Sequence, residues 1–122
     1  METTEAADLP IDFERLREVS DDDAEMINEL LDLYFSQTRE QLDDLENAVN
    51  AKDFDQIYKS AHKIAGGSLT CGMNAIIPSI RELEQLGRNQ NAENAENLFA
   101  QAKNSFAEME KYLESNREEL FN

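Results

Sequence analysis

Tryptophan is absent from this chain of 122 residues, cysteine and histidine occur once each, and there are only two prolines and four glycines. Each shortage excludes something. A lone Cys71 has no partner for an intramolecular disulfide, so a disulfide-stapled scaffold is ruled out and the cytoplasm is the expected compartment. A single histidine cannot supply the facing Glu-x-x-His pairs of a di-metal helical bundle, and Lys59 stands three residues before His62 where such a site needs a glutamate. The shortage of Gly and Pro argues against a turn-rich β domain. No apolar run approaches the roughly 18 residues of a membrane span. Met1 is followed by acidic Glu2 and Glu5, so no secretory signal is visible. Basic residues are scarce too: 11 Lys and Arg against 27 Asp and Glu leave a net charge of -16. Nucleic acid and anionic membranes are therefore poor partners, and the acidity serves solubility or steering toward a basic partner. No Gly-rich nucleotide loop, Ser-His-Asp set or zinc spacing stands out, so an independent enzyme is not expected.

What the chain does contain is helical periodicity. Residues 1–9 are polar and acidic and read as a flexible tail. Pro10 is placed to open a short helix over Ile11 to Val19, with Ile11 or Phe13, Leu16 and Val19 as its apolar stripe. Asp21, Asp22 and Asp23 offer capping oxygens, and Ser20 with Asp23 approximates a capping box for a long second helix. Its stripe is Ile27, Leu30, Leu31, Tyr34, Thr38, Leu42, Leu45 and Val49, ending near Asn50. Lys52-Asp53 breaks the pattern, and a third helix runs from Phe54 toward Cys71, with Gly72 at its left-handed end. A fourth opens between Asn74 and Pro78, turns Ile76, Ile77, Ile80, Leu83 and Leu86 inward, and is stopped by Gly87. The fifth carries Ala95, Leu98, Phe99, Ala102, Phe106, Met109, Tyr112 and Leu113. Met26, Met73 and Met109 are expected in the core, and Cys71 as a small buried hydrophobe. Short connections between amphipathic helices are most simply satisfied by an all-α fold, an antiparallel up-down-up-down four-helix bundle with a short extra N-terminal helix. It would span residues 10–118, with residues 119–122 frayed.

The third helix holds the chemistry. At a helical step of about 100° per residue, Phe54, Ile57, Tyr58, Ala61, Ile64 and Ala65 share one side, and His62 falls on its flank. Gly66, one turn on, shares that flank, so no side chain beside the imidazole keeps a partner away. The adjacent pair Gly66-Gly67 costs the helix roughly 1 kcal/mol per residue. Gly66, Gly67 and Ser68 thus leave room for a docking protein, or else serve tight packing against a neighbouring helix.

His62, Gly66, Gly67, Ser68 and Gly72 match the phosphoacceptor motif of histidine-containing phosphotransfer (HPt) domains, which this stretch resembles: a His, a Gly four residues on, small residues next and a Gly ten on. The resemblance implies that His62 is the phosphoacceptor of a phosphorelay, fed by a receiver-domain aspartate or a histidine-kinase system and emptied onto a response regulator. It implies that Glu84, about 22 positions on, orients the imidazole, and that Lys59, Lys63, Gly66, Gly67 and Ser68 form the receiver-docking and phosphoryl environment. The partners implied are response-regulator receiver domains and a hybrid histidine kinase, with Mg²⁺ on the receiver, no intrinsic cofactor or metal, and a monomeric carrier without kinase activity of its own. One position departs from the family: Ala65 stands where a lysine is usual. The other reading is a degenerate, HPt-like acidic adaptor that binds a partner without being phosphorylated, for which His62 would be dispensable.

Overall fold

Aspartates open the first three helices of the computed structural model, which describes residues 9–121. In α1 (Phe13–Val19) the Asp12 carboxylate accepts from the backbone N–H of Arg15. In α2 (Ala24–Ala51) Asp23 accepts from the N–H groups of Glu25 and Met26. In α3 (Phe54–Cys71) Asp53 accepts from that of Gln56. Each satisfies donors that a helix start leaves orphaned. The expected capping box is not formed: Ser20 is buried and its hydroxyl donates to the Leu16 carbonyl at 2.7 Å, closing α1 instead of opening α2.

The first helix also starts later than Pro10. Residues ahead of it are tied to the far end of α3: the Pro10 carbonyl accepts from Ala75 N–H at 3.1 Å, and Asp12 N–H donates to the Gly72 carbonyl at 2.8 Å. Leu9 belongs to this anchored stretch, since its carbonyl accepts from Asn74 at 3.3 Å. The remainder of the tail expected over residues 1–9 lies outside the described residues. Gly72 is required there twice over. Its φ of 70° ends α3 in the left-handed region, and a Cβ on it would lie 2.8 Å from the Asp12 carbonyl oxygen.

A 3₁₀ turn (Asn74–Ile76) leads into α4 (Ile77–Arg88), with Pro78 in the first turn, where a missing N–H costs nothing. Gly87 does not stop this helix, because α4 runs on to Arg88 and Gly87 is buried against α3. After Asn94, α5 (Ala95–Leu120) runs past residue 118, with Leu120 buried at 1 % exposure. No strand occurs among the described residues.

The apolar stripes converge on one core, in which Ile27, Leu31, Leu45, Ile57, Ile64, Met73, Ile76, Ile80, Leu83 and Met109 are essentially inaccessible. Each such side chain contributes roughly 1.5–3 kcal/mol by leaving water. Met26 is an exception to expectation: in the first turn of α2 it is 46 % exposed. Between α2 and α3 the buried Tyr34 hydroxyl and Ser68 hydroxyl lie 2.7 Å apart. Burial pushes the Tyr34 phenol up to about 12, with bonds to Ser68 and Thr38 offsetting part of the rise, so it stays a neutral hydrogen-bonding group.

Helices α3 and α4 pack closely. A Cβ on Gly87 would sit 2.6 Å from the Tyr58 nitrogen and 2.9 Å from the Phe54 carbonyl oxygen, so the two backbones touch. That approach brings the flank of α3 against the flank of α4, close enough for a side chain of one to bond a side chain of the other.

Candidate functional site

His62 and Glu84 meet across the α3–α4 contact. Nδ1 of His62 lies 2.5 Å from Oε2 of Glu84, and Oε1 of the same carboxylate accepts from Arg81 Nη1 at 2.9 Å. The carboxylate is 7 % exposed, whereas the imidazole is 62 % exposed and faces solvent. Burial alone would push the Glu84 carboxyl up. The hydrogen bonds from His62 and Arg81, with the charges of both, outweigh it and hold the group below its ordinary value. Its stabilising effect is therefore present above the unfolded carboxylate range and is lost as pH falls through the lowered value.

An ionised carboxylate only accepts hydrogen bonds, so Nδ1 is the ring nitrogen that carries the proton. In the neutral imidazole the lone pair then sits on Nε2, at the opposite edge of the ring, which has no hydrogen-bond partner among the described residues. Tyr58, one turn before, stacks on the imidazole with ring centroids 5.6 Å apart and planes 18° from parallel. Arg88 lies over the Tyr58 ring at 5.3 Å and donates to its hydroxyl at 3.4 Å. The ring is thus held by a carboxylate at one edge and an aromatic at one face, with its nucleophilic edge outward.

The glycines beside it face open space. A Cβ on Gly66 or on Gly67 would meet nothing within 4 Å, so no packing among the described residues accounts for either. Ser68 behaves differently, and its expected place in the docking surface is corrected. Two residues past Gly66 the helix has turned inward, and Ser68 is fully buried and bonded to Tyr34. Lys59 and Lys63 are exposed but border a groove against α2, lined also by Gln41, Asp44 and Asn47. Lys59 pairs with Asp55 at 3.2 Å, and neither lysine is bonded to His62 or Glu84. Ala65 is buried at 1 % exposure.

Arg81, Arg88 and the stacking role of Tyr58 are not apparent from the motif. For Arg81 a signal was available: it precedes Glu84 by three residues, which puts both on one face of α4.

The chain is similar to known proteins in sequence and in fold. The Hpt domain family model matches residues 29–119. The phosphorelay intermediate protein rdeA of Dictyostelium discoideum is 31 % identical over 102 residues, covering 84 % of this chain and 40 % of that protein, so the chain spans well under half of this relative's length. The crystal structure of histidine-containing phosphotransfer protein B (HptB) from Pseudomonas aeruginosa PAO1 superposes with a TM-score of 0.81 at 24 % identity, over 90 % of this chain and 96 % of that one, and so shares the fold. With the family model matched from the second turn of α2 to the end of α5, the chain belongs to the Hpt domain family.

Proposed function

We propose that this protein is a phosphorelay intermediate that accepts a phosphoryl group on Nε2 of His62 and passes it to a response regulator. The observation that carries the reading is the bond from Nδ1 to the buried Glu84 carboxylate, which leaves the outward Nε2 as the nucleophile beside two glycines that no packing among the described residues explains. The donor is a receiver-domain aspartyl phosphate or a histidine-kinase system. In uptake from an aspartyl phosphate, the Nε2 lone pair forms the N–P bond as the P–O bond to the donor carboxylate breaks. The electron pair of that bond leaves with the carboxylate. Nδ1 keeps its proton, the ring takes up a positive charge, and Glu84 lies against that charge. Onward transfer reverses these bonds toward a second aspartate.

Alignment and charge do most of the work in phosphoryl transfer, and Mg²⁺ is expected on the receiver partner, not on this chain. The local charge favours such a partner. Although the chain carries -16, α3 and α4 set Lys59, Lys63, Arg81 and Arg88 against only Asp55, Glu82 and Glu84. The remaining acidic surface keeps nucleic acid away from the rest of the molecule. No helix of the described residues is long and apolar enough to cross a membrane.

We read α2 to α5 as an antiparallel up-down-up-down bundle with α1 across one end, and the working unit as a monomeric cytoplasmic carrier without kinase activity. In support of that topology, Glu84 meets His62 while the later Gly87 meets the earlier Tyr58. Likewise Arg39 bonds to Glu110 while the earlier Asn28 bonds to the later Arg117.

The test is transfer from phosphorylated receiver domains of the source organism. Rapid uptake from at least one is expected, and no uptake from any of them, or from a cognate kinase, would leave the unphosphorylated adaptor as the better description. Glu84→Ala should retain the helical circular dichroism yet slow uptake by about 10–100-fold, taking the loss seen when the carboxylate partner of a metal-bound histidine is removed as the scale. Unchanged kinetics would remove Glu84 from the mechanism.

A further inference from the structure

Glu84 presents a problem that His62 alone does not solve. Its carboxylate is almost fully buried, and a desolvated negative charge needs a positive one nearby. Before transfer the imidazole must be neutral to act as a nucleophile, so at that moment His62 offers a hydrogen bond but no charge. The terminal torsion of a glutamate is also broad, and one bond to one oxygen does not fix the plane of the carboxylate.

Arg81 meets both needs. It is always protonated, it projects from the same helix one turn before Glu84, and its Nη1 binds the oxygen that His62 leaves free. Its own side chain is 47 % exposed, so the guanidinium stays partly hydrated while neutralising a carboxylate that is not. The charged or titratable groups acting on Glu84 are His62 from α3, Arg81 from α4 itself, and Arg88 one turn further along α4. No group of α5 contacts the carboxylate among the described residues.

We infer that Arg81 is the positioning residue of this site: by holding Oε1 of Glu84 while His62 Nδ1 holds Oε2, it keeps the carboxylate ionised and oriented so that the ring proton stays on Nδ1 and the lone pair on Nε2. This rests on the phosphorelay reading for its purpose, but the geometry stands without it. The antiparallel contact between α3 and α4 also puts the turn of Arg81 across from the turn of Ala65, so the site has a cation although position 65 has none.

The sign of the effect comes from the balance at Glu84. Removing Arg81 takes away a hydrogen bond and a positive charge that lower the carboxyl, while the burial that raises it remains. In Arg81→Gln the carboxyl carbon of Glu84, followed by ¹³C NMR, should therefore titrate at higher pH than in the wild type. The ring ¹⁵N shifts of His62 in the unphosphorylated protein should move from the Nδ1–H pattern toward a tautomer mixture. Phosphate uptake from phosphoramidate, a small donor that needs no protein partner, should slow by about tenfold, the lower end of the loss seen when an outer partner of a metal-bound histidine is removed. Arg81→Lys, which keeps the charge, should restore the Glu84 titration and most of the rate.

An Arg81→Gln protein with unchanged helicity, Glu84 titration and ring tautomer would overturn the inference, as would failure of Arg81→Lys to rescue. If the wild type takes no phosphate from phosphoramidate or from any receiver, the phosphorelay reading fails while the NMR results still judge Arg81. If the wild type is labelled and Arg81→Gln matches it in all readouts, only the inference about Arg81 fails.

Discussion

His62→Ala abolishes labelling by a phosphorylated receiver domain while leaving the helical content and melting temperature close to those of the wild type. The expected loss is complete within detection, because the chain has no second histidine to take the phosphate as a phosphoramidate. The fold should be indifferent to the change. The imidazole is mostly exposed, and the Glu84 carboxylate it leaves behind keeps its bond to Arg81. In the wild type the bound phosphate should be lost in acid and retained in base, as a nitrogen-linked phosphate is and an aspartyl phosphate is not. Label that persists in His62→Ala would move the acceptor elsewhere and remove the purpose proposed for the site.

The second large effect is structural and acts on the chemistry at a distance of one helical turn. Gly87→Ala puts a methyl group against the backbone of Tyr58 and Phe54 at 2.6–2.9 Å, where neither neighbour is the movable end of a side chain. Alanine is the better helix former by about 1 kcal/mol, but overpacking of a close contact costs typically 1–3 kcal/mol, and backbone against backbone belongs at the upper end. A net loss of about 1–2 kcal/mol should lower the melting temperature by roughly 4–8 °C for a domain of this size. Because α4 must move away from α3, the bond from Glu84 to His62 should lengthen and phosphate uptake should slow as well. Gly66→Ala is the matching control. Its added methyl meets nothing within 4 Å, so the same substitution should raise the melting temperature. A Gly87→Ala protein as stable as Gly66→Ala would mean that the close approach of α3 and α4 is not what brings the pair together.

How much of the fold is legible in the sequence depends on which interactions are local. The aspartate caps, the Lys52-Asp53 break and the left-handed end at Gly72 are set by residues within a turn of one another, and they stand in the chain as residue types. Most of the stripe on each helix is likewise legible, although Val19, Leu30, Ile77, Leu86 and Tyr112 are only partly buried. Met26, expected in the core, is exposed because a residue in the first turn can satisfy the period and still lie beyond the neighbouring helices that would cover it. Gly87 shows the opposite case. A glycine near a helix end reads as a stop, and only the distance to another helix reveals that it is there to admit Tyr58 and Phe54.

The site divides in the same way. His62 and the two open glycines come from one helical phase, and Glu84 is singled out by resemblance, since nothing in the spacing alone separates it from other acids on α4. Lys59 and Lys63 are near His62 in sequence and are the natural candidates for a cation. The positive charge bonded to the carboxylate comes instead from Arg81, nineteen residues away, because α3 and α4 pack flank to flank and the lysines lie along the groove toward α2. Ser68 departs from expectation for a related reason. In the sequence it is a third small residue after two glycines, but it is turned inward to a tyrosine on α2 that pattern alone does not pair with it.

The central claim is that Glu84 holds the proton on Nδ1 so that Nε2 takes the phosphate. It is tested most directly by phosphorus–proton correlation NMR on the protein phosphorylated by a receiver domain or by phosphoramidate. Phosphorus on Nε2 lies next to both carbon-bound ring positions, so the account predicts correlations to both ring protons of His62. A correlation to Hε1 alone would place the phosphate on Nδ1, the nitrogen bonded to Glu84, and would contradict it.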